Sequence, residues 1–164
     1  MRGERARGWR EPSASTQRER GTGMSYSGDV SPREAWDALQ SNPDAQIVDV
    51  RTRPEWAFVG TPDLRGAGRE IVPLEWQTYP SMQIDPGFAD TLEAELARRG
   101  VPNDAPIYFL CRSGARSAAA ASTLSARGRA AFNIAGGFEG NPDAAGHRGT
   151  VEGWKAEGLP WRQP

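Results

Sequence analysis

One short segment of the chain combines a nucleophilic residue with positive charge. FLCRSGARSAAAAS, residues 109–122, holds Cys111, the chain's single cysteine, and places Arg112 and Arg116 close behind it. A cysteine thiolate is a strong nucleophile, and arginine side chains attract an incoming anion. Free cysteine also packs well as a small buried hydrophobe, which is the alternative interpretation. Two arginines and a glycine within the next five residues favour a reactive cysteine.

The loop after Cys111 has the composition of an anion-binding nest. Residues RSGAR separate Cys111 from a predicted helix that begins at about Ser117. Backbone N–H groups of such a loop, backed by a helix N-terminus, can surround an anion and would stabilise a thiolate. Gly114 permits a turn with positive φ, and the Ser113 and Ser117 hydroxyls can donate further hydrogen bonds.

Several helices are expected to position this loop. Ser31 as N-cap, Pro32 in the first turn and the Asn42-Pro43 stop predict a helix between them. A second helix is predicted within residues 85–100, capped by Asp85 and ended by Gly100. A helix of small residues should follow the cysteine loop. The segment VEGWKAEGLPW predicts a closing helix, and residues 52–68 are expected to be rich in loops.

Short apolar runs predict the strands. AQIVDVR, REIVPLEW, APIYFLC and AAFNIAGG lack the polar and apolar alternation of half-exposed strands. Strands of this kind between helices predict an α/β fold, a three-layer sandwich with a central, mainly parallel sheet flanked by helices. Ligands of such sheets bind beyond the carboxyl ends of the strands, where VDVR and YFLC both finish.

Composition narrows the function classes. The 164 residues carry a net charge of −1 and one cysteine. We therefore expect no nucleic-acid or membrane partner, no internal disulfide and a cytoplasmic location. Residues 1–24, rich in arginine and poor in apolar side chains, are expected to form a disordered N-terminal extension. Residues 25–164 are expected to form the single domain.

Three motifs in order resemble the rhodanese sulfurtransferase family. CRSGARS is similar to the family's C-R-x-G-x-R active-site loop, IVDVRTRPEW to its D-V-R-x-x-x-E-[YW] segment, and NIAGGFEGN to a sequence near the end of its domains. The resemblance covers roughly residues 26–160. The chain departs from the family's G-H-I-P-G-A element, where it has VGTPDLRGAGREIVPLEW and no histidine, so the substrate pocket is expected to differ there.

The resemblance implies a sulfurtransferase that needs no metal or organic cofactor. Cys111 would take the outer sulfur of a small anionic donor such as thiosulfate as a persulfide, and pass it to a thiol or to cyanide. Asp49 and Arg51 would support the loop by charge pairing, with direct contact to the substrate as the alternative. The residues implied to bind the substrate or persulfide are Arg112, Ser113, Gly114, Ala115, Arg116 and Ser117.

Two other functions remain open on the sequence alone. A cysteine phosphatase uses a thiolate in an anion cradle, but its pattern places five residues between cysteine and arginine, and here four separate Cys111 from Arg116. A non-catalytic sulfur carrier or docking module is the second alternative. With no second cysteine in the chain, sulfur on Cys111 must leave to an outside molecule. Oligomeric state is not indicated.

The tryptophans, one glycine pair and the single histidine fit structural roles. Trp154 and Trp161 fit a clamp for the C-terminal tail, whereas Trp56 and Trp76 could pack in the core or wall the active site. Gly136 and Gly137 are expected to let the last strand turn close to another backbone segment. His147, in a polar loop, is expected to have no metal role.

Overall fold

The computed structural model describes residues 25–164, so the predicted disordered extension, residues 1–24, lies outside the described residues. Nine short strands, four α-helices and one 3-10 helix, Arg65–Ala67, follow one another in this range. The strands are β1 Gly28–Val30, β2 Gln46–Asp49, β3 Thr61–Pro62, β4 Val72–Pro73, β5 Gln77–Thr78, β6 Gln83–Ile84, β7 Ile107–Leu110, β8 Ala131–Ile134 and β9 Trp161–Arg162. The helices are α1 Pro32–Ser41, α2 Arg53–Phe58, α3 Phe88–Arg98 and α4 Ala115–Ser125.

A five-stranded sheet in the order β1-β8-β7-β2-β4 forms the centre of the domain, and all of its pairs are parallel. This confirms the predicted α/β fold. The two central strands are buried along their whole length because both sheet faces are covered. Asp49 and Leu110, the last residues of β2 and β7, lie opposite each other. The two predicted ligand-facing ends therefore meet at one edge of the sheet.

Two separate hydrophobic clusters cover the two faces of the sheet. Val48 and Phe109 belong to the cluster that contains Leu92 and Leu96 of α3. Ile47 and Leu110, their chain neighbours, belong to the cluster on the α1 side. Neighbouring strand residues point to opposite faces, so each short strand contributes to both clusters.

The predicted start of α1 is confirmed, whereas α3 begins later than expected. Ser31 Oγ accepts the Glu34 N–H at 3.0 Å, and Pro32 is the first helical residue. Asp85 does not cap α3 directly. Its side chain accepts the Gly87 N–H at 2.8 Å and closes a turn before the helix begins at Phe88.

The expectation of a closing helix in VEGWKAEGLPW is wrong. Residues 151–158 form turns, because Gly153 and Gly158 adopt φ angles of +100° and +70°, which an α-helix excludes. The chain then forms β9, which pairs antiparallel with β3. Of the two tryptophans predicted to clamp the tail, Trp154 does so: it is fully buried, and its Nε1–H donates to the Pro160 carbonyl at 2.7 Å, whereas Trp161 is a partly exposed residue of β9.

Two further local differences concern the loops that flank the sheet edge. Residues 52–68, expected to be loop-rich, include the six-residue helix α2, started by Thr52 and a proline in its first turn. Helix α4 begins at Ala115, two residues before the predicted Ser117, and this shortens the cysteine loop. No helix within residues 25–164 is long and apolar enough to cross a membrane.

Gly137 places the end of β8 directly against the cysteine loop. Its φ is +61°, and a Cβ built there would collide with the backbone of Cys111 and Arg112. This confirms that the glycine pair lets the chain pass close to another backbone segment. Backbone atoms cannot move aside as a flexible side chain can, so the contact excludes any larger residue.

We expect Gly137→Ala to destabilise the fold far more than a glycine substitution with the same backbone strain and no clash. Gly100 is the matched control, since its φ is +71° and nothing lies within 4 Å of a Cβ there. Gly100→Ala should cost about 1 kcal/mol from the left-handed conformation. Gly137→Ala should cost roughly 3 kcal/mol, measured as the free energy of unfolding in urea. Equal losses at the two positions would contradict the close contact.

Candidate active site

Cys111 is the first residue after β7, and its thiol faces into the loop that follows. Its Sγ lies 3.1 Å from the Gly114 backbone nitrogen and 3.1 Å from Ser117 Oγ. The residue is only 1% exposed. Two hydrogen-bonding groups thus surround a buried sulfur and can stabilise negative charge on it.

The predicted nest is present in a smaller form. Among the described residues, the Gly114 N–H is the one backbone amide that forms a hydrogen bond to Sγ. Gly114 adopts a φ of +125°, as its expected role requires. Ala115, Arg116 and Ser117 form the first turn of α4, whose N–H groups lack intrahelical partners and can receive an anion.

The segment after Gly137 holds the loop from outside. The Phe138 N–H donates to the Cys111 carbonyl at 2.8 Å. The Glu139 and Gly140 N–H groups both donate to the Arg112 carbonyl at 3.0 Å. These three bonds fix the conformation in which the chain leaves the strand, and with it the direction of the cysteine side chain.

A cavity of about 380 Å³ opens over the sulfur. Its loop wall consists of Cys111, Arg112, Ser113, Ala115 and Arg116, and its opposite wall of Glu55, Gln77 and Met82. The opposite wall comes from α2 and from the hairpin formed by β5 and β6. Four of the six predicted binding residues therefore line the cavity. The other two, Gly114 and Ser117, contact the sulfur itself.

The two arginines of the loop have different surroundings. Arg116 forms two hydrogen bonds with the Glu55 carboxylate, at 2.7 and 3.0 Å, and both side chains are about four-fifths buried. Arg112 is exposed on the cavity wall, and no carboxylate within residues 25–164 pairs with it. The expectation that both arginines bind the donor therefore fits Arg112 better, because the charge of Arg116 is already balanced.

Burial alone would raise the pKa of Glu55, but its partners outweigh that cost. Hydrogen bonds and charge attraction from Arg116, together with hydrogen bonds from Thr52, lower the pKa of Glu55 to about 2. The Thr52 N–H and Oγ1–H both donate to Glu55 Oε1, at 3.1 and 3.0 Å. Glu55 is therefore ionised at neutral pH and ties α2 to the cysteine loop.

Residues 31–141 match the family described as the rhodanese-like domain. The chain belongs to this family. A Rickettsia conorii protein is 39% identical over 133 residues, which are 79% of this chain and 92% of the relative. The Arabidopsis thaliana protein named rhodanese-like domain-containing protein 4, chloroplastic, is 26% identical over 135 residues, 82% of this chain and 25% of that protein.

Solved structures agree with this assignment. The crystal structure of Rv0390 from M. tuberculosis is 47% identical and superimposes with a TM-score of 0.73, covering 85% of this chain and all of the other. The polysulfide-sulfur transferase homodimer from Wolinella succinogenes shares the fold, with a TM-score of 0.52 at 24% identity, covering 92% of this chain and 86% of the other. Sulfur transfer is the chemistry that membership of the rhodanese-like family supports.

Asp49 and Arg51 of this rhodanese-like domain form a fully buried ion pair, with 2.6 Å between Nη2 and Oδ2. Arg51 also donates to the Gly60 carbonyl at 2.8 Å and lies 4.3 Å from the centre of the Phe138 ring. No hydrogen bond or ion pair joins either side chain to residues 111–117. The pair supports the loop through Phe138, whose N–H binds the Cys111 carbonyl.

Four residues of the site lacked a role in the sequence prediction. Glu55 stood in a recognised motif, so its position was signalled although its ion pair was not. Gln77 and Met82 lie in a hairpin of two-residue strands that no periodicity announces. Asn133, buried on β8, accepts the Ser117 hydroxyl at 2.6 Å.

The tryptophans considered as cavity walls lie elsewhere. Trp76 packs edge-to-face on Phe88 in the core, with 5.0 Å between ring centres. Trp56 lines a separate cavity with Arg162 and Pro164. Within residues 25–164, no three histidine, cysteine, aspartate or glutamate side chains are grouped as a metal site would require.

We expect Glu55→Gln to destabilise the protein by roughly 2 kcal/mol at pH 7, because a mostly buried arginine loses its charged partner. The folded-state pKa of about 2 lies below the ordinary value of 4.5, so the stabilisation is complete above pH 4.5 and is lost as pH falls towards 2. The stability difference between the wild type and the variant should therefore shrink over that range in urea unfolding experiments.

Asp90→Asn is the matched control for this measurement. Asp90 pairs with Arg127 at 2.7 Å, but its side chain is 80% exposed. An exposed pair contributes at most about 1 kcal/mol, so the control should change stability little. A Glu55→Gln effect no larger than the control would show that the ion pair does not hold α2 on the loop.

Proposed function

We propose that this rhodanese-like domain is a sulfurtransferase that moves sulfane sulfur from a small anionic donor, such as thiosulfate, to a thiophilic acceptor through a persulfide on Cys111. The observation that carries the proposal is the position of the chain's single thiol. Its sulfur lies at the base of a cavity, within 3.1 Å of an amide and a hydroxyl, beside an arginine that has no carboxylate partner within residues 25–164.

The first half of the reaction loads the cysteine. The Cys111 thiolate attacks the outer sulfur of thiosulfate and forms a new S–S bond. The S–S bond of thiosulfate breaks, and its electron pair leaves with sulfite. Arg112 attracts the dianion, and the free N–H groups of the first turn of α4 receive its charge as the bond breaks.

The second half of the reaction transfers the outer sulfur from Cys111 to an acceptor. An acceptor thiolate or cyanide attacks the outer sulfur of the persulfide, and the electron pair of the broken bond returns to Cys111 Sγ. The chain has one cysteine, so no internal thiol can perform this step. A ping-pong reaction with an outside acceptor follows from that composition.

The geometry favours sulfur transfer over phosphate hydrolysis. Phosphatase chemistry needs the arginine of the loop to hold a phosphoryl group, whereas Arg116 is engaged by both oxygens of Glu55. The loop is also one residue shorter than the phosphatase pattern, with α4 beginning at Ala115. A transferred sulfur atom needs less space than a tetrahedral phosphoryl group.

The loading and unloading steps can be followed separately. After incubation with thiosulfate, the intact mass of the wild-type protein should increase by one sulfur atom, and cyanide should remove it as thiocyanate. Cys111→Ala should do neither. The proposal fails if no sulfur adduct forms. A stable adduct with negligible thiocyanate production would indicate a sulfur carrier, and turnover of an aryl phosphate without an adduct would indicate a phosphatase.

Arg112→Ala should raise the KM for thiosulfate roughly tenfold or more, because a charge-assisted contact to the donor is lost. The kcat for the cyanide step should change less. Arg53→Ala is the control, since Arg53 is 83% exposed and removes the same charge outside the cavity. Equal increases in the two variants would assign the effect to net charge instead of a specific contact.

A further inference from the structure

The Ser117 hydroxyl is in contact with more acceptors than it has protons. Its Oγ lies 2.6 Å from Asn133 Oδ1, 3.1 Å from Cys111 Sγ and 3.1 Å from the Gly114 carbonyl. A hydroxyl carries one proton, so it serves one of these acceptors at a time. Ser117 is fully buried, so bulk solvent does not donate a hydrogen bond to the acceptors that the Ser117 proton leaves.

The orientation of the Asn133 amide decides which acceptor competes with the sulfur. Asn133 Nδ2 lies 2.9 Å from Asp29 Oδ1, and a carboxylate accepts but does not donate hydrogen bonds. The NH₂ group must therefore face Asp29, and the carbonyl oxygen must face Ser117. Asp29 is held in turn by the Tyr26 hydroxyl at 2.9 Å.

We propose that Asn133 is a positioning residue that holds the Ser117 proton away from Cys111 while the sulfur is protonated and releases it to the sulfur when negative charge develops there. The short 2.6 Å contact favours donation to Asn133 at rest. The Cys111 S–H can then donate to Ser117 Oγ. In the thiolate, the hydroxyl turns and donates to sulfur, leaving the buried Asn133 oxygen without its bond.

The competition between Asn133 and Cys111 for the Ser117 proton tunes the nucleophilicity of the thiolate in both halves of the proposed reaction. The inference rests on that proposed function. Release of the Asn133 bond opposes part of the stabilisation that the thiolate gains from Ser117. A less stabilised thiolate is a better nucleophile, because the nucleophilicity of a thiolate decreases as the pKa of its thiol decreases. When the persulfide bond breaks, the same hydroxyl turns back to the returning charge without any proton being transferred.

The charged groups around the sulfur are the same in the wild type and in the Ser117→Ala and Asn133→Leu variants. They are Arg112 and Arg116 on the loop, Glu55 from α2, and the Asp49–Arg51 pair at the end of β2. Asp29 on β1 adds a charge beyond Asn133. A shift caused by changing Asn133 or Ser117 therefore reports on hydrogen bonding to Cys111.

The test is the pH midpoint of Cys111 alkylation by iodoacetamide in the full chain. Ser117→Ala removes the donor to the thiolate and should raise the midpoint by about one pH unit, a tenfold change in thiolate fraction. Asn133→Leu keeps a similar shape but removes the competing acceptor, and should lower the midpoint by a similar amount. Above its midpoint, Asn133→Leu should also react more slowly than the wild type.

Two outcomes would overturn the proposal. A purely structural Asn133 would shift the midpoint in the same direction as Ser117→Ala, because both changes would loosen the loop. An Asn133→Leu shift that persists in the Ser117→Ala background would show that the effect does not pass through the hydroxyl. Alkylation needs neither donor nor acceptor, so it reports on this inference even if thiosulfate leaves no sulfur on the protein.

A surface variant keeps the test usable if Asn133→Leu does not fold. Asp29 is exposed on the edge strand β1, and Asp29→Ala frees the Asn133 amide to turn its NH₂ group towards Ser117. The midpoint should then fall, as in Asn133→Leu. Repeating the change in the Ser117→Ala background subtracts the direct effect of the lost charge, and a shift of equal size there would contradict the proposal.

Discussion

The site depends on a backbone-to-backbone contact between the end of β8 and the start of the cysteine loop. Gly137 lies so close to the Cys111 carbonyl that a side chain cannot fit between them, and the next amide, from Phe138, binds that carbonyl. The contact fixes the chain where it leaves β7. Because a side chain's direction follows from its backbone, this fixed exit aims the thiol at the Gly114 amide and the Ser117 hydroxyl. A glycine far from the reacting atoms in sequence thus determines where the sulfur lies.

Two ion pairs near the carboxyl end of β2, Asp49–Arg51 and Glu55–Arg116, have different roles in the site. Asp49 and Arg51, fully buried, neutralise each other's charge, and the Arg51 guanidinium packs against the Phe138 ring, so the pair adds no net charge to the site. Glu55 neutralises Arg116 while fastening α2 to the loop. Buried pairs repay their desolvation only with good geometry, and both are bidentate. The remaining cation, Arg112, is exposed on the cavity wall, where an incoming anion can reach it.

Much of the fold was predictable because its strongest signals are local. The α1 cap at Ser31 and the buried strands can be predicted from residues that are neighbours in sequence. The parallel sheet follows from the alternation of strands and helices. The prediction of a closing helix failed because Gly153 adopts a positive φ where it packs against the backbone of Gly136, Gly137 and Gly140. The thiol, its arginines and its loop were predictable from spacing. The Glu55–Arg116 pair and the Asn133 contact were not, since each joins residues that are close only after the sheet has formed.

The depth of the sulfur constrains the order of events more than the cavity's composition does. Cys111 is 1% exposed and lines the cavity between its own loop and the opposite wall of Glu55, Gln77 and Met82, so a molecule that reaches the sulfur through this cavity contacts both walls. In the proposed reaction, sulfite would have to leave this cavity before an acceptor could reach the outer sulfur. The proposed persulfide would then remain in place during that interval, beside the Gly114 amide and the Ser117 hydroxyl that contact the sulfur. The depth of Cys111 suits such an intermediate, because protein atoms cover most of the surface of the sulfur.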